Sequence, residues 1–264
     1  MFYETELGKI YYEIYGQEGK PFVVLTHGLG MNLSTFDAQI NKLSDEYRVL
    51  VWDLPGHGQS FEIGHGDGFS FFLAAECLLG LLNELNVKKA ILVGQSLGGM
   101  VSQYIAHHYP ERVSAVVDIG SIPLHKGLNN RHDKLFRFFF PLFRLVPAKI
   151  LSIWFARQKS VNKETRRYLK EVTGKTGKKQ ILDLTKSMLI CIDEGIKSPI
   201  THSLLIIHGD REQKYIIKSA EKWHEEVPMS EYAVIPNAGH IANQDNPVEF
   251  NRLLLSFLKK LKMH

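Results

Sequence analysis

The chain holds two cysteines in 264 residues, Cys77 and Cys191, far apart and without metal-ligand spacing. A reduced, cytosolic setting is the simplest reading, with both thiols serving as small buried hydrophobes. There is no apolar run of about 18 residues or more, so no membrane-spanning helix is expected. The first residues, Met1-Phe2-Tyr3-Glu4-Thr5-Glu6, lack the basic stretch and apolar core of a signal peptide. The glycines never form G-x-G-x-x-G and no P-loop lysine is present, which removes the usual nucleotide-binding patterns. No H-E-x-x-H or paired Cys/His set points to a metal. The run Gly174-Lys175-Thr176-Gly177-Lys178-Lys179 has no aromatic residue for a base to stack on. It reads as a solvated loop, and no nucleic-acid partner is expected.

What is present is enough apolar material for one large core, 44% of the residues. Charge is unevenly spread. Residues 121 to 198 carry 17 basic and 6 acidic side chains, a net of +11, leaving −7 for the rest of the chain. The plain reading is a solvated set of helices. The sharper one is attraction of an anionic substrate, or peripheral contact with an anionic membrane.

From residue 22 onward apolar runs alternate with helical patterns, which predicts a mostly parallel sheet covered on both faces. Strands are expected at 22–26, 47–52, 89–94, 112–119, 203–208 and 231–236. Helices are expected near 34–43, 70–85, 97–108, 215–226 and 246–261. Residues 2 to 15 read as two antiparallel strands joined at Leu7-Gly8-Lys9. The stretch 121–199 breaks the alternation. It is helical in character, interrupted by Pro141 and Pro147, and too long for a structureless connection. Its aromatic stretch from Phe136 to Phe155 either packs this insertion onto the body or lines an apolar pocket.

Gly94-Gln95-Ser96-Leu97-Gly98 follows the apolar run Ala90 to Val93. A serine hydroxyl needs exposure and a base before it becomes a nucleophile. A sharp strand-to-helix turn supplies the exposure, and it demands small residues two before and two after the serine. Three more segments agree with this one. His27-Gly28-Leu29-Gly30 ends a strand. Asp53-Leu54-Pro55-Gly56-His57-Gly58-Gln59-Ser60 ends the next. Ala238-Gly239-His240 follows the last.

With these four segments the chain resembles the α/β-hydrolase superfamily along its whole length. The resemblance implies an α/β-hydrolase core over 1–120 and 200–264, with a helical cap, or lid, at 121–199. It implies Ser96 as nucleophile and, of 12 histidines, His240 as its base, in the chain order serine, acid, histidine. The family's acid position, three after Gly209, holds Glu212 where aspartate is usual. Asp210 and Asp118 remain alternatives. The oxyanion donors would be the backbone amides of Leu29 and Leu97. His27 resembles a structural position. The implied activity is serine hydrolysis of a small-molecule carboxylic ester or related acyl bond, with an apolar, lipid-like group and no metal or organic cofactor. Other chemistry on the same scaffold, such as C–C hydrolysis, lactone opening or a lyase step, stays open, as does a weakly catalytic ligand-sensing module.

Overall fold

Short apolar runs make the strands, and a period-two split of their side chains makes two cores. The computed structural model describes residues 1–60, 68–126 and 137–261. Among the described residues the sheet has eight strands: β1 (Phe2–Thr5), β2 (Gly8–Tyr15), β3 (Phe22–Thr26), β4 (Arg48–Trp52), β5 (Ala90–Gln95), β6 (Val113–Ile119), β7 (Ser203–Gly209) and β8 (Glu231–Ile235). Their spatial order is β1-β2-β4-β3-β5-β6-β7-β8. The β1–β2 and β2–β4 pairs are antiparallel, and every pair from β4 across to β8 is parallel. The sheet is therefore mostly parallel, as expected. The first turn differs slightly from expectation. Gly8 pairs with Thr5, so the reversal falls on Glu6-Leu7.

Helices α1 (Asp37–Leu43), α2 (Phe71–Glu84), α3 (Leu97–His108), α7 (Lys214–Glu226) and α9 (Pro247–Leu261) cover the sheet, and the one-turn α8 (Ala242–Asp245) precedes α9. Val24, Leu50, Leu92 and Val116 pack with Leu78 and Leu82 of α2, Val101 of α3 and Trp223 of α7. Their strand neighbours Val23, Leu25, Val49, Val93 and Val117 point the other way, onto Ile40 and Leu43 of α1 and Phe250 and Leu254 of α9. Each such fully buried side chain contributes roughly 1.5–3 kcal/mol of hydrophobic stabilisation. Helix α9 starts where Asn246-Pro247 predicts, and the Asn246 side chain accepts from the Glu249 amide at 3.3 Å. Cys77 and Cys191 are buried and unpaired. Among the described residues no helix is long and apolar enough to cross a membrane.

Between β6 and β7 the chain forms a short 3-10 turn at Phe140–Arg144. Helices α4 (Ala148–Lys159), α5 (Lys163–Thr176) and α6 (Lys178–Glu194) follow. Pro141 opens the turn and Pro147 immediately precedes α4, so both prolines stand at helix starts. The glycine- and lysine-rich run expected to be a loop is instead helical except at Gly177, which joins α5 to α6 at φ +82°. The reason is tertiary: Leu169, Val172 and Thr173 bury one face of α5 and override two weak helix formers. A small third core ties these helices to the body: Ala156 and Leu169 bury against Met31 and Ile241, from the loops after β3 and β8.

The topology places the site. The chain leaves β3 for β4 on one side, while β5 lies against the other side of β3 and leads on to β6. Loops at the C-terminal ends of β3 and β5 therefore part around a crevice, the usual ligand position in an open α/β sheet. Those two loops contain His27 to Gly30 and Ser96.

Candidate active site

Ser96 sits between β5 and α3 at φ +50° and ψ −111°, a conformation that side-chain-bearing residues avoid. Its neighbours hold it there. The Ser96 amide donates to the Ile119 carbonyl at 2.8 Å, and its carbonyl accepts from the Ser121 hydroxyl at 2.7 Å. The flanking glycines have a steric cause. A methyl group on Gly94 would lie 2.3 Å from backbone atoms of Gly98, and one on Gly98 would lie 2.1 Å from the Thr26 carbonyl oxygen. From Ala90 to Gln103 every residue is buried except Ser96. The turn lifts one hydroxyl out of an otherwise closed strand and helix.

His240 follows β8 and is 4% exposed. Its Nδ1 lies 2.6 Å from Glu212 Oε2, and the other carboxylate oxygen accepts from the Gln213 amide at 2.7 Å. Burial works to raise the Glu212 pKa. The charge of His240, its hydrogen bond, Lys159 and the Gln213 amide outweigh that and hold it below the usual glutamate value. Burial is also the main influence on His240, and with help from Lys159 it keeps the imidazole pKa below 6.5 against the pull of Glu212. The resting pair is thus a glutamate anion and a neutral imidazole. Nδ1 keeps its proton and donates it in the hydrogen bond to Glu212, which leaves Nε2 with a free lone pair.

The other two acids lie elsewhere. Asp210 is exposed, accepts from the Ala238 amide at 3.1 Å and sits beside Arg211. Asp118 is buried behind the turn, where it accepts from Gln103 Nε2 at 2.9 Å and the Ser121 amide at 3.1 Å. Burial pushes its pKa up to about 7 despite these bonds. Of the three candidate acids, Glu212 is the one the fold brings to His240.

Leu29 lines the same cavity as Ser96 and His240, and Leu97 is the first residue of α3. Among the described residues neither backbone amide has a hydrogen-bond acceptor. Helix α3 aims its positive end at the same place. His27 holds the first loop: its Nδ1 donates to the Gly28 carbonyl at 2.8 Å while Nε2 accepts from the Leu54 amide at 3.0 Å. Burial keeps this imidazole neutral. The Asp53 carboxylate braces the same region through the Leu33 and Gln59 amides. The D-x-x-G-x-G-x-S loop is thus structural.

The cavity measures about 1180 Å³. Phe140, Phe143, Ile153, Trp154 and Phe155 line it, while Phe138, Phe139, Leu142 and Leu145 face outward. The aromatic stretch therefore divides between the two readings, and Phe136 lies outside the described residues. Three supporting residues carried no motif signal. Gln95 Nε2 donates to the His240 carbonyl at 3.1 Å. Asp245 accepts from the Gly239 amide at 2.8 Å, the Val161 amide at 3.1 Å and the Ser160 hydroxyl at 2.5 Å. It thereby ties the histidine loop to the start of α5. Lys159 reaches the same cavity.

Comparison with known proteins agrees with this architecture. The chain is 29% identical over 258 residues to the dihydrolipoyllysine-residue acetyltransferase component of an acetoin cleaving system from Pseudomonas putida. That match takes in 95% of this chain and 66% of the longer relative. It is 26% identical over 262 residues to a pimeloyl-[acyl-carrier protein] methyl ester esterase from Yersinia enterocolitica, covering 96% of this chain and 98% of that one. A solved carboxylesterase from Nitrososphaera gargenis superposes with a TM-score of 0.83 at 21% identity, covering 100% and 99% of the two chains. Residues 21–247 match the family model for the alpha/beta hydrolase fold. With the sheet order, the serine turn and this match together, the chain belongs to the α/β-hydrolase fold family.

Proposed function

We propose that the protein is a serine hydrolase that cleaves a carboxylic ester or related acyl bond of a small molecule. The observation that carries this reading is that His240, paired at 2.6 Å with the buried Glu212 behind it, lines the same cavity as Ser96. In this mechanism Ser96 Oγ attacks the ester carbonyl as His240 Nε2 takes its proton. The amides of Leu29 and Leu97 receive the developing oxyanion, a contribution worth about 3 kcal/mol per donor in comparable sites. His240 then protonates the departing alcohol. Water, activated by the same imidazole, releases the acid and restores the serine. Glu212 fixes the tautomer and balances the imidazolium charge.

Residues 121–199 act as the cap in this reading. Apolar side chains of the described stretch from Phe140 to Leu189 line the cavity, so the acyl or alcohol group is apolar. The relatives that are esterases favour the same bond type. Two buried thiols fit a reducing, cytoplasmic compartment.

The test is covalent labelling. A fluorophosphonate probe is expected to modify Ser96 and no other residue. Ser96→Ala should lose both labelling and turnover of p-nitrophenyl butyrate by several orders of magnitude while melting near the parent temperature. Labelling at another residue, or an unlabelled protein that still hydrolyses esters, would refute the assignment.

A further inference from the structure

The cavity has a charge pattern that ester cleavage alone does not require. Six lysines line it, Lys149, Lys159, Lys170, Lys178, Lys214 and Lys218, and among the described lining residues there is no aspartate or glutamate. Four of the six, Lys149, Lys170, Lys214 and Lys218, are exposed. They come from both sides, two from α4 and α5 and two from α7. Lys178 is partly buried and already committed, donating to the carbonyls of Arg144 at 2.6 Å and Val146 at 2.9 Å.

Lys159 differs from all of these. It ends α4, is partly buried, and its carbonyl accepts from the Ile241 amide at 3.2 Å, which fixes its backbone beside the histidine loop. Its ammonium lies 5.9 Å from the centroid of Phe155, another lining residue. Among the described residues it has no carboxylate within 4.0 Å and no hydrogen-bond acceptor. Glu212 is the carboxylate whose charge acts on it, but His240 and the Gln213 amide occupy both Glu212 oxygens.

A cation withdrawn from water without a counter-ion is costly, and an arriving anion recovers part of that cost. Lysine suits the role because its ammonium is a compact charge on a flexible stem that can follow a ligand. The four exposed lysines raise the local concentration of anions and steer them inward. The rest of the lining is largely apolar, with Leu151, Ile153, Phe155 and Ile181 among it. A neutral ester would leave Lys159 unpaired, and a small hydrophilic anion would leave this apolar wall uncovered.

We propose that the cavity takes esters bearing an anionic group on an otherwise apolar acyl or alcohol part, and that Lys159 binds that anion. The proposal names the substrate class and rests on the serine-hydrolase reading.

The experiment uses matched methyl esters. One series consists of monomethyl esters of dicarboxylic acids from succinate to sebacate. Each has a neutral twin with a methyl group in place of the terminal carboxylate. At the preferred chain length the anionic ester should exceed its twin in kcat/KM by about tenfold or more, the value of a charge-assisted hydrogen bond. Lys159→Met should lower the anionic-to-neutral ratio by a similar factor, chiefly through KM, and Lys159→Arg should restore most of it. Using the ratio cancels any general effect of the substitution on His240. A ratio of one at every chain length overturns the proposal, as does a ratio that Lys159→Met leaves unchanged.

Binding to a non-reacting protein separates this from failure of the hydrolase reading. Monomethyl suberate should bind Ser96→Ala at low salt, as measured by calorimetry, and bind the Ser96→Ala/Lys159→Met double variant about tenfold more weakly. That result supports the anion site even if no ester is turned over. Equal binding to the two proteins overturns it.

Discussion

Replacing Glu212 by glutamine tests the most specific geometric element of the site. Glu212 Oε1 is held by the Gln213 amide at 2.7 Å, and Oε2 faces His240 Nδ1 at 2.6 Å. A glutamine placed in the same pose keeps its oxygen on the Gln213 amide, because only oxygen can accept there. Its NH₂ group must then face Nδ1. Two donors cannot share that contact, so the imidazole proton moves to Nε2, the atom that has to accept the serine proton. The lost charge adds a second cost. At an effective dielectric of 20, a full charge about 4 Å from the imidazolium is worth about 4 kcal/mol, close to a 10³-fold change in rate.

Asp210→Asn is the matched control. Asparagine keeps an oxygen for the Ala238 amide, and the side chain is exposed, so a change of about threefold or less is expected. The assay is kcat/KM on p-nitrophenyl butyrate at pH 8, with circular dichroism and melting temperature showing that both variants fold. A near-normal Glu212→Gln beside an inactive Asp210→Asn would mean that the loop after β7 adopts another register, with Asp210 as the acid.

Three further outcomes follow from the same geometry. Burial keeps the His240 pKa below 6.5, and only the neutral imidazole can act as base. Thus the acid limb of kcat/KM should have its midpoint below that of an ordinary imidazole, with activity lost as the pH falls through it. Lys159→Met should move that limb to higher pH because one depressing charge is removed, and a limb that stays put would contradict the pairing. Gly98→Ala should cost about 2–3 kcal/mol in urea unfolding, since its methyl group would lie 2.1 Å from the Thr26 oxygen; a parental midpoint would show that the turn tolerates side chains. In an ester series from acetate to decanoate, kcat/KM should rise by one or two orders of magnitude over the first few added carbons, at roughly 0.8 kcal/mol per buried methylene. A flat profile, or a maximum at acetate, would mean that Phe140, Phe143 and Phe155 only pack the helices together.

What the sequence revealed about the site tracks how local each cause is. The serine turn was legible because its constraint is steric and spans five residues: Gly94 and Gly98 are there because nothing larger fits. The parallel strands were legible because runs such as Val113–Ile119 bury both faces and need no alternation. The choice of acid was not fully legible. Asp210 and Glu212 lie two residues apart on one loop, and what separates them is the hydrogen bond from the Glu212 amide to the Gly209 carbonyl together with the approach of a histidine 28 residues away. The insertion was legible as helical but not in detail. Its apolar residues follow no single period across Pro141 and Pro147, so nothing local tells the inward Phe140 from the outward Phe138.

The residues missed altogether share one property: their partners are distant in sequence. Asp245 meets Ser160 and Val161 across 85 and 84 positions. Gln95 meets His240 across 145. Lys159 is one of many lysines in a basic stretch, and only the fold turns it toward the serine cavity with no carboxylate partner within 4.0 Å among the described residues. In this chain the candidate reacting groups are written in short motifs. The groups that hold or tune them are set by contacts between distant segments, within the body for Gln95 and between the body and residues 148–194 for Asp245 and Lys159. Substitutions in those helices should therefore change which substrate is accepted before they change whether the serine reacts. Lys159 is the one position expected to do both, since its charge acts on His240 while its side chain lines the substrate space.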